Sequence, residues 1–334
     1  MRRGFARLLG GRPEEIALAV NTHELVWRFL SALPGQRRRL VTTAGEFHTI
    51  RRQLDRLAED PSHEIVRVDA APSDSIAERL AAAVDDRTAA VLVSSVLFEN
   101  AHIVPGLADV LGACRRAGAE LLVDAYHHLN VVPFSLAGDG LEEAFVVGGG
   151  YKYCQLGEGN AFLRVPPGRE HLRPLYTGWF SEFEHLGHRP TPVVAYGQGP
   201  ARWAGATYDP TSHYRAARVF EFFEEQGLTP QRLRETSQRQ IGRMAARFDA
   251  LDLDPEVIAR DRATPLERIG GFLALRCRFP SVIAGMLEAR GVFTDFRGET
   301  LRVGPAPYLS DAQLDTAMAA LAEAARHPAV IGRG

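Results

Sequence analysis

Lys152 is the one lysine among the 39 lysine and arginine residues of this sequence. A guanidinium stays protonated, whereas a lysine amine can lose its proton and attack a carbonyl carbon to form a Schiff base. Lys152 follows an apolar run and three glycines, Gly148 to Gly150, within the segment AFVVGGGYKYCQLGEGN. Because arginine is used at every other position of this kind, we expect residue 152 to require an amine. Covalent catalysis through a Schiff base has that requirement.

A carboxylate accompanies the lysine. Asp124 ends the apolar run AELLVDA, and Lys152 follows the next apolar run, EAFVVGG. If these runs are neighbouring strands, both side chains emerge at the carboxyl edge of the sheet, where open α/β sheets bind ligands. A Schiff-base lysine and a carboxylate that pairs with a pyridinium nitrogen are the two protein groups that a pyridoxal phosphate (PLP) enzyme needs. Asp124 could instead cap a turn after its strand.

The glycines before the lysine have two interpretations. Gly148, Gly149 and Gly150 allow positive φ angles and leave room for a bulky cofactor beside the backbone. They could equally serve a sharp turn from strand to loop, and both interpretations can hold together.

The elements that position these residues alternate along the chain. Apolar runs that resemble buried strands occur at 16–20, 38–44, 64–70, 88–96, 119–125 and 143–149. Helical patterns separate them, which indicates an α/β fold with a mainly parallel sheet covered on both faces. The last third has a long helix at 230–251, a strand, a helix, a strand pair and a helix. We therefore predict a large domain at 1–228 and a smaller α+β domain at 229–334.

Composition argues against several classes of protein. A net charge of −2 gives no reason to expect nucleic acid or an anionic membrane as partner. No apolar run reaches the roughly 20 residues that span a bilayer, and the N-terminus lacks the apolar core of a signal peptide. Cys114, Cys154 and Cys277 are scattered, so they predict neither disulfides nor a metal site and fit a cytoplasmic protein. A nicotinamide enzyme is disfavoured, because no strand followed by G-x-G-x-x-G occurs near the start.

Longer motifs resemble a known family. DAYHHLNVVPFSL and GGGYKYCQLGEGN resemble the cofactor-binding core of class V aminotransferase-fold enzymes, above all kynureninases, which show Asp-x-x-His before Gly-Tyr-Lys-Tyr. TGWFSEF (177–183) resembles the family's Gly-Trp motif, and LRVGPAPYLS (301–310) its Arg-x-x-Pro-x-Pro ending. The resemblance implies the fold-type I architecture of aspartate aminotransferase, with PLP as the cofactor and no metal.

The same resemblance implies roles for individual residues. Lys152 would form the Schiff base and move the proton at the substrate Cα, and Asp124 would pair with the pyridine nitrogen. Tyr151 would contact the phosphate and could donate a proton to the leaving carbanion. Arg302 would bind the substrate carboxylate through a bidentate guanidinium. The other cofactor contacts would come from His127, Asn21, Thr22 and Ser95, from Phe47 or His48 over the ring face, and from Trp179 and Thr207 at a neighbouring subunit's phosphate site.

Two places depart from the family pattern. Tyr126 fills a position in Asp-x-x-His that is commonly small. Gly157, Glu158 and Gly159 stand where the family tends to have Gly-Pro-Gly, and Glu158 would either bind a substrate group or face solvent. Neither departure changes the lysine or its acid, so PLP binding is a firmer expectation than any particular reaction.

Together these features predict a cytoplasmic homodimeric PLP enzyme that acts on an amino acid, with its active site at the subunit interface. The expected reaction is kynureninase-like: Lys152 removes the Cα proton, water attacks the γ-carbonyl, and Cβ–Cγ cleavage releases alanine and an acyl acid. A class V aminotransferase or another lyase would use the same site, because the first steps are shared.

Two further alternatives are weaker. A cysteine desulfurase needs a mobile, exposed cysteine well after the lysine, but Cys277 lies in the strand-like FLALRCRF. A non-catalytic relative that kept the fold as a scaffold would have little use for the intact set formed by Asp124, Tyr151, Lys152 and Arg302.

Overall fold

The computed structural model describes residues 1–187 and 192–331. Its larger sheet has seven strands: β1 (Ile16–Ala19), β2 (Arg39–Thr43), β3 (Glu64–Val68), β4 (Thr88–Ser94), β5 (Glu120–Asp124), β6 (Phe145–Gly149) and β7 (Ala161–Arg164). Their order across the sheet is β1-β7-β6-β5-β4-β2-β3. All pairs among β2 to β6 are parallel, whereas β7 pairs antiparallel with β6 and β1. The predicted, mainly parallel sheet is confirmed.

Helices cover both faces of this sheet. The α-helices are α1 (Arg2–Leu9), α2 (Thr22–Ala32), α3 (His48–Ala58), α4 (Ile76–Ala83), α5 (Leu107–Ala117), α6 (Thr211–Glu225), α7 (Pro230–Ala250), α8 (Pro280–Glu288), α9 (Asp311–Ala325) and α10 (Pro328–Ile331). Short 3-10 helices lie at Pro13–Glu15, Ser73–Ser75, Trp179–His185, Gly199–Trp203 and Leu266–Arg268. Within the described ranges, every helix is too short or too polar to cross a membrane.

The strand residues explain why both faces are covered. Val91 and Val93 of β4 pack in one apolar cluster with residues of α1, α4 and α5, including Phe5 and Leu80. Leu92, between them in sequence, packs in a second cluster with residues of α2 and α3. Successive side chains of a strand point to opposite faces, so a strand that is apolar throughout must be buried on both sides.

A second, antiparallel sheet follows near the C-terminus. It consists of β8 (Ile258–Arg260), β9 (Leu273–Cys277), β10 (Asp295–Arg297) and β11 (Thr300–Val303), in the order β10-β11-β9-β8. Its apolar face packs against α7, α8 and α9 in a core of its own, which contains Leu275 and Leu301. A separate sheet and core after α6 agree with a division of the chain near residue 229, although the boundary itself stays a prediction.

The two sheets are joined where residues 101–103 meet residues 268–270. The Ile103 N–H donates to the Arg268 carbonyl at 2.9 Å, and the Gly270 N–H donates to the Ala101 carbonyl at 2.7 Å. Arg268 also forms an ion pair with Asp74 at 2.5 Å. These contacts join the segment before β9 to the chain that follows β3 and β4, at the carboxyl edge of the large sheet.

Candidate active site

Asp124 lies at the carboxyl end of β5, next to the parallel strand β6 that leads to Lys152. Its side chain is buried, and its Oδ1 accepts the N–H of Tyr126 at 2.8 Å. Burial raises the pKa of Asp124 to about 6, while the Tyr126 N–H and the charge of Lys152 act in the opposite direction. The carboxylate therefore lies within electrostatic reach of the lysine and lacks a full counter-charge.

Lys152 occupies the loop after β6, where its side chain is half-buried. Burial lowers the pKa of this amine; the charges of Arg302 and Arg297 lower it further, and Asp295 and Asp124 oppose the change. The amine faces a cavity of about 340 Å³ whose lining includes His127, Tyr153, Phe272, Phe293, Asp295 and Arg302. A lysine with a lowered pKa is more often unprotonated, which is the state that attacks a carbonyl.

His127 forms another wall of this cavity. It is 5% exposed, and its Nε2 is buried without a hydrogen-bond partner among the described residues. Burial, together with the charges of Lys152 and Arg302, holds the pKa of His127 well below its usual range. Buried polar atoms are nearly always hydrogen-bonded, so an unpartnered ring nitrogen at a cavity indicates a place for a ligand.

Two residues were candidates to cover a bound ring, and the structure places them differently. The ring of Phe47 is partly buried and lies 5.9 Å from that of His127, at an interplanar angle of 61°. His48, the first residue of α3, is exposed, although the charges of Arg302 and Arg297 still reach it. Phe47 is therefore the one of the two that packs against a cavity-lining residue.

The glycines before Lys152 do not adopt the positive φ angles that glycine allows, and their lack of a side chain serves packing. Positive φ angles occur further along, at Gln155, Gly157 and Gly159. Gly148 and Gly149 belong to the extended strand β6. A Cβ at Gly149 would lie 2.7 Å from the ring of Tyr126, and one at Gly150 would lie 2.2 Å from Asn160 Oδ1.

Tyr126 explains why this strand ends in glycine. Its hydroxyl accepts the Tyr151 N–H at 3.4 Å, so its ring connects the Asp-x-x-His turn to the lysine loop. Burial raises the pKa of Tyr126 to about 12, so the hydroxyl stays neutral. The unusual bulk at this position is thus accommodated by the missing side chain at Gly149.

The other predicted residues are not among those that line this cavity. Asn21 caps α2, where its side chain accepts the Glu24 N–H at 2.9 Å, and Thr22 begins that helix. The Ser95 hydroxyl is buried and donates to the Asp124 carbonyl at 3.2 Å. Tyr151 and Trp179 are 57% and 44% exposed. Thr207 lines a different cavity of about 640 Å³.

Two carboxylates at the site were not predicted from the sequence. Glu46 is 1% exposed, and its carboxyl accepts the Thr43 hydroxyl at 2.8 Å and the Ser94 N–H and hydroxyl at 3.0 and 2.6 Å. Asp295 pairs with Arg302 in the cavity. The one available signal for Glu46 was its position directly before Phe47.

Comparison with known proteins adds to this geometry. No family model matches the chain. The kynureninase of Xanthomonas campestris pv. campestris (strain B100) is 25% identical over an alignment that covers 92% of this chain and 75% of that enzyme.

Solved structures show the same arrangement of elements. A mutant of the cystine C–S lyase C-DES, with glycine covalently linked to its PLP cofactor, superposes with a TM-score of 0.83 at 18% identity, covering 96% of this chain and 84% of that one. The apo cysteine desulfurase of Thermococcus onnurineus NA1 gives a TM-score of 0.80 at 16% identity, covering 99% of this chain and 83% of that one. The chain therefore has the fold of the class V, fold-type I PLP-dependent enzymes.

Proposed function

We propose that this chain is a PLP-dependent enzyme that acts on an amino acid, with Lys152 as the residue that binds the cofactor. The observation that carries the proposal is the position of the chain's one lysine. Its half-buried amine lies within electrostatic reach of the buried Asp124 and shares a cavity with His127 and Arg302. The similarity to kynureninases over 92% of the chain supports the same conclusion.

The residues present fit PLP in three respects. The unpartnered Nε2 of His127 offers a hydrogen-bonding group beside the cavity. Asp124 is a buried carboxylate whose pKa is raised by burial, and a protonated ring nitrogen would supply a counter-charge that stabilises its ionised form. Phe47 offers an aromatic face next to His127. These residues would hold the pyridine ring, and Lys152 would supply the amine for its aldehyde.

PLP, when bound, supplies an electron sink that lowers the cost of negative charge on the carbon next to the substrate amine. The chain's own residues supply the rest. Lys152 would carry the proton to and from the substrate Cα, and Asp124 would keep the ring nitrogen protonated. Arg302 would bind the substrate carboxylate, and Tyr151 would donate a proton to the leaving carbon. We also propose that the remaining predicted contacts with the cofactor are made by Asn21, Thr22 and Ser95.

The reaction we favour is hydrolytic Cβ–Cγ cleavage of a kynurenine-type amino acid. Curated kynureninases are among the relatives of the chain, and Phe272 and Phe293 line the cavity with aromatic surface suited to an aromatic acyl group. A desulfurase that needs a mobile cysteine is disfavoured, because all three cysteines are buried. Free, buried cysteines also suit a reducing cytoplasm, where we place the protein.

An aminotransferase or a C–S lyase is the second candidate, because the structure resembles the cystine C–S lyase C-DES. The assays separate these reactions. A transaminase turns over only with a 2-oxo acid acceptor, whereas a hydrolase releases alanine from L-kynurenine with water alone. A cystine C–S lyase would form cysteine persulfide, which is the reaction product of C-DES.

The experiment that tests the cofactor is a visible absorption spectrum of the purified protein after incubation with PLP. We expect a visible band that disappears on hydride reduction, because the reduced Schiff base is a secondary amine that keeps the cofactor attached to the protein. The matched control is Lys152→Arg, which keeps the charge but cannot form the Schiff base. A wild-type protein that stays colourless after the unbound PLP is removed would refute the proposal. Alanine release from L-kynurenine or 3-hydroxykynurenine then tests the reaction.

We also propose a homodimer in which Trp179 and Thr207 complete the neighbouring subunit's phosphate site. Both are exposed, and large apolar side chains such as Leu175, Tyr176 and Phe183 are exposed in the same stretch of chain. Mixing the inactive variants Lys152→Ala and Thr207→Val tests the proposal. Hybrid dimers would contain one intact site and recover activity if Thr207 acts across the interface, whereas action within its own subunit would give no recovery.

A further inference from the structure

The guanidinium of Arg302 is held on two sides before any ligand arrives. Its Nε donates to Asp295 Oδ1 at 2.6 Å, and its Nη2 donates to Asp295 Oδ2. Its Nη1 donates to the Phe98 carbonyl at 2.6 Å, and the group lies 5.3 Å from the ring centre of Phe272. A guanidinium has five N–H donors. Among the described contacts, one N–H on Nη1 and one on Nη2 are left over.

The fold builds this pair into a hairpin. Asp295 of β10 lies directly opposite Arg302 of β11 in the antiparallel register. Phe98 belongs to the large-sheet part of the chain, so the guanidinium is fixed from both sheets at once. Asp295 and Arg302 both line the cavity that contains Lys152. The side edge of the guanidinium is therefore occupied, while two terminal N–H groups remain for a ligand.

Asp295 is ionised in this setting. Burial opposes ionisation, but the hydrogen bond from Arg302 and the charges of Arg302, Arg297 and Lys152 together lower the pKa of Asp295. Its side chain is 48% exposed, and its Oδ2 also lies 3.5 Å from Nη2 of Arg297. Its charge thus lies between two guanidinium groups that would otherwise repel each other.

We propose that Asp295 is a positioning residue that orients Arg302 so that its two terminal N–H groups bind the α-carboxylate of the amino-acid substrate. This rests on the proposed function, since it takes the ligand to be an α-amino acid that binds beside PLP. In an alternative role, the Asp295 carboxylate would occupy the place of the substrate carboxylate on Arg302, and the substrate would have to displace it. The geometry favours positioning, because Asp295 uses the side edge of the guanidinium, and a bidentate carboxylate can still bind the terminal nitrogens.

The two roles predict opposite changes in ligand binding. The PLP-loaded protein is titrated with L-alanine, which carries only the groups common to all α-amino acids, and binding is followed by the cofactor's absorption spectrum. We expect Asp295→Asn to weaken L-alanine binding about tenfold or more, the scale of one charge-assisted contact. Asp295→Glu, which keeps the charge on a longer side chain, is expected to lie between wild type and Asn. Unchanged or tighter binding by Asp295→Asn would overturn the proposal.

Two controls separate positioning from damage to the fold. Alaninol lacks the carboxylate, so Asp295→Asn is expected to leave its binding unchanged; equal losses for both ligands would overturn the proposal. Asp249 holds Arg260 through Nε and Nη2 in the same way, away from the cavity. Asp249→Asn is therefore expected to bind L-alanine like wild type. A wild-type protein that takes up no PLP would overturn the proposed function and this proposal with it, whereas a normal wild-type response beside an unaltered Asp295→Asn overturns this proposal alone.

Discussion

Glu46→Gln is expected to stabilise the protein, and increasingly so as the pH rises. Glu46 is fully buried, and burial raises the pKa of its carboxyl from 4.5 to about 7, against the hydrogen bonds from Ser94 and Thr43. The charge of Asp124 adds to the increase. Gln keeps an oxygen for the Thr43 hydroxyl and the Ser94 N–H, and its amide can donate to the Ser94 hydroxyl. The variant therefore imitates the protonated carboxyl.

The size of the effect follows from the two pKa values. A carboxyl with a raised folded-state pKa contributes stability that is fully present below its unfolded pKa and is lost as the pH rises through its folded pKa. A shift from 4.5 to about 7 corresponds to about 3 kcal/mol at neutral pH. At about pH 5 Glu46 is mostly protonated in the folded protein, so most of this destabilisation is absent. The free energy of unfolding of the variant, relative to wild type, should therefore increase by about 2 kcal/mol between about pH 5 and pH 8.

The assay is urea unfolding of wild type and variant across this pH range, with both proteins in the same cofactor state. Glu323→Gln is the control for loss of a carboxylate, since Glu323 is exposed on α9 and pairs with Arg290. A difference between Glu46→Gln and wild type that stays constant, or shrinks as the pH rises, would refute the reasoning. Such a result would mean that Glu46 is ionised in the folded protein without the cost of burial.

Three further predictions concern the cavity. Asp124→Asn removes the counter-charge for a ring nitrogen and is expected to lower kcat about a hundredfold, the scale for one preorganised electrostatic group, in a steady-state assay. Phe47→Ala should weaken PLP retention in equilibrium dialysis, whereas His48→Ala, whose side chain is exposed, should not; the reverse order would place His48 over the ring. Gly149→Ala puts a Cβ 2.7 Å from the Tyr126 ring and should cost about 1–3 kcal/mol in unfolding experiments. That cost should fall in the double variant with Tyr126→Ala; if it does not, the clash lies elsewhere.

The parallel core of the fold could be predicted from the sequence because its central strands, β4 to β6, are largely apolar. The six predicted runs all contain a strand, from β1 at Ile16–Ala19 to β6 at Phe145–Gly149. The strand β7 (Ala161–Arg164) was missed because its residues, AFLR, form a short run that ends in a charge. Arg164 is buried because its Nε pairs with Glu15 at 2.9 Å and its Nη1 donates to two backbone carbonyls. A pairing between residues as far apart as 15 and 164 leaves no local pattern.

The site was predicted in part for the same reason. Lys152 and Asp124 could be found because each has a distinctive type and follows an apolar run. The Asp295–Arg302 pair depends on the register of a hairpin, and the contacts of Glu46 depend on the neighbouring strands β2 and β4. Neither arrangement can be predicted from residue types alone. Acids near arginines are common in this chain, and the contacts of Glu46 join residues that are distant in sequence.

Trypsin digestion followed by mass spectrometry can show whether the half-buried amine of Lys152 carries an attached group. Trypsin cuts after lysine and arginine, and between Arg116 and Arg164 the one such residue is Lys152. An unmodified protein is cut there into two peptides, whereas any group attached to that amine leaves one long peptide spanning 117–164. Occupancy of the lysine, by a cofactor trapped with hydride or by an amine-directed inhibitor, can thus be counted from the ratio of the long peptide to the two short ones, without a turnover assay.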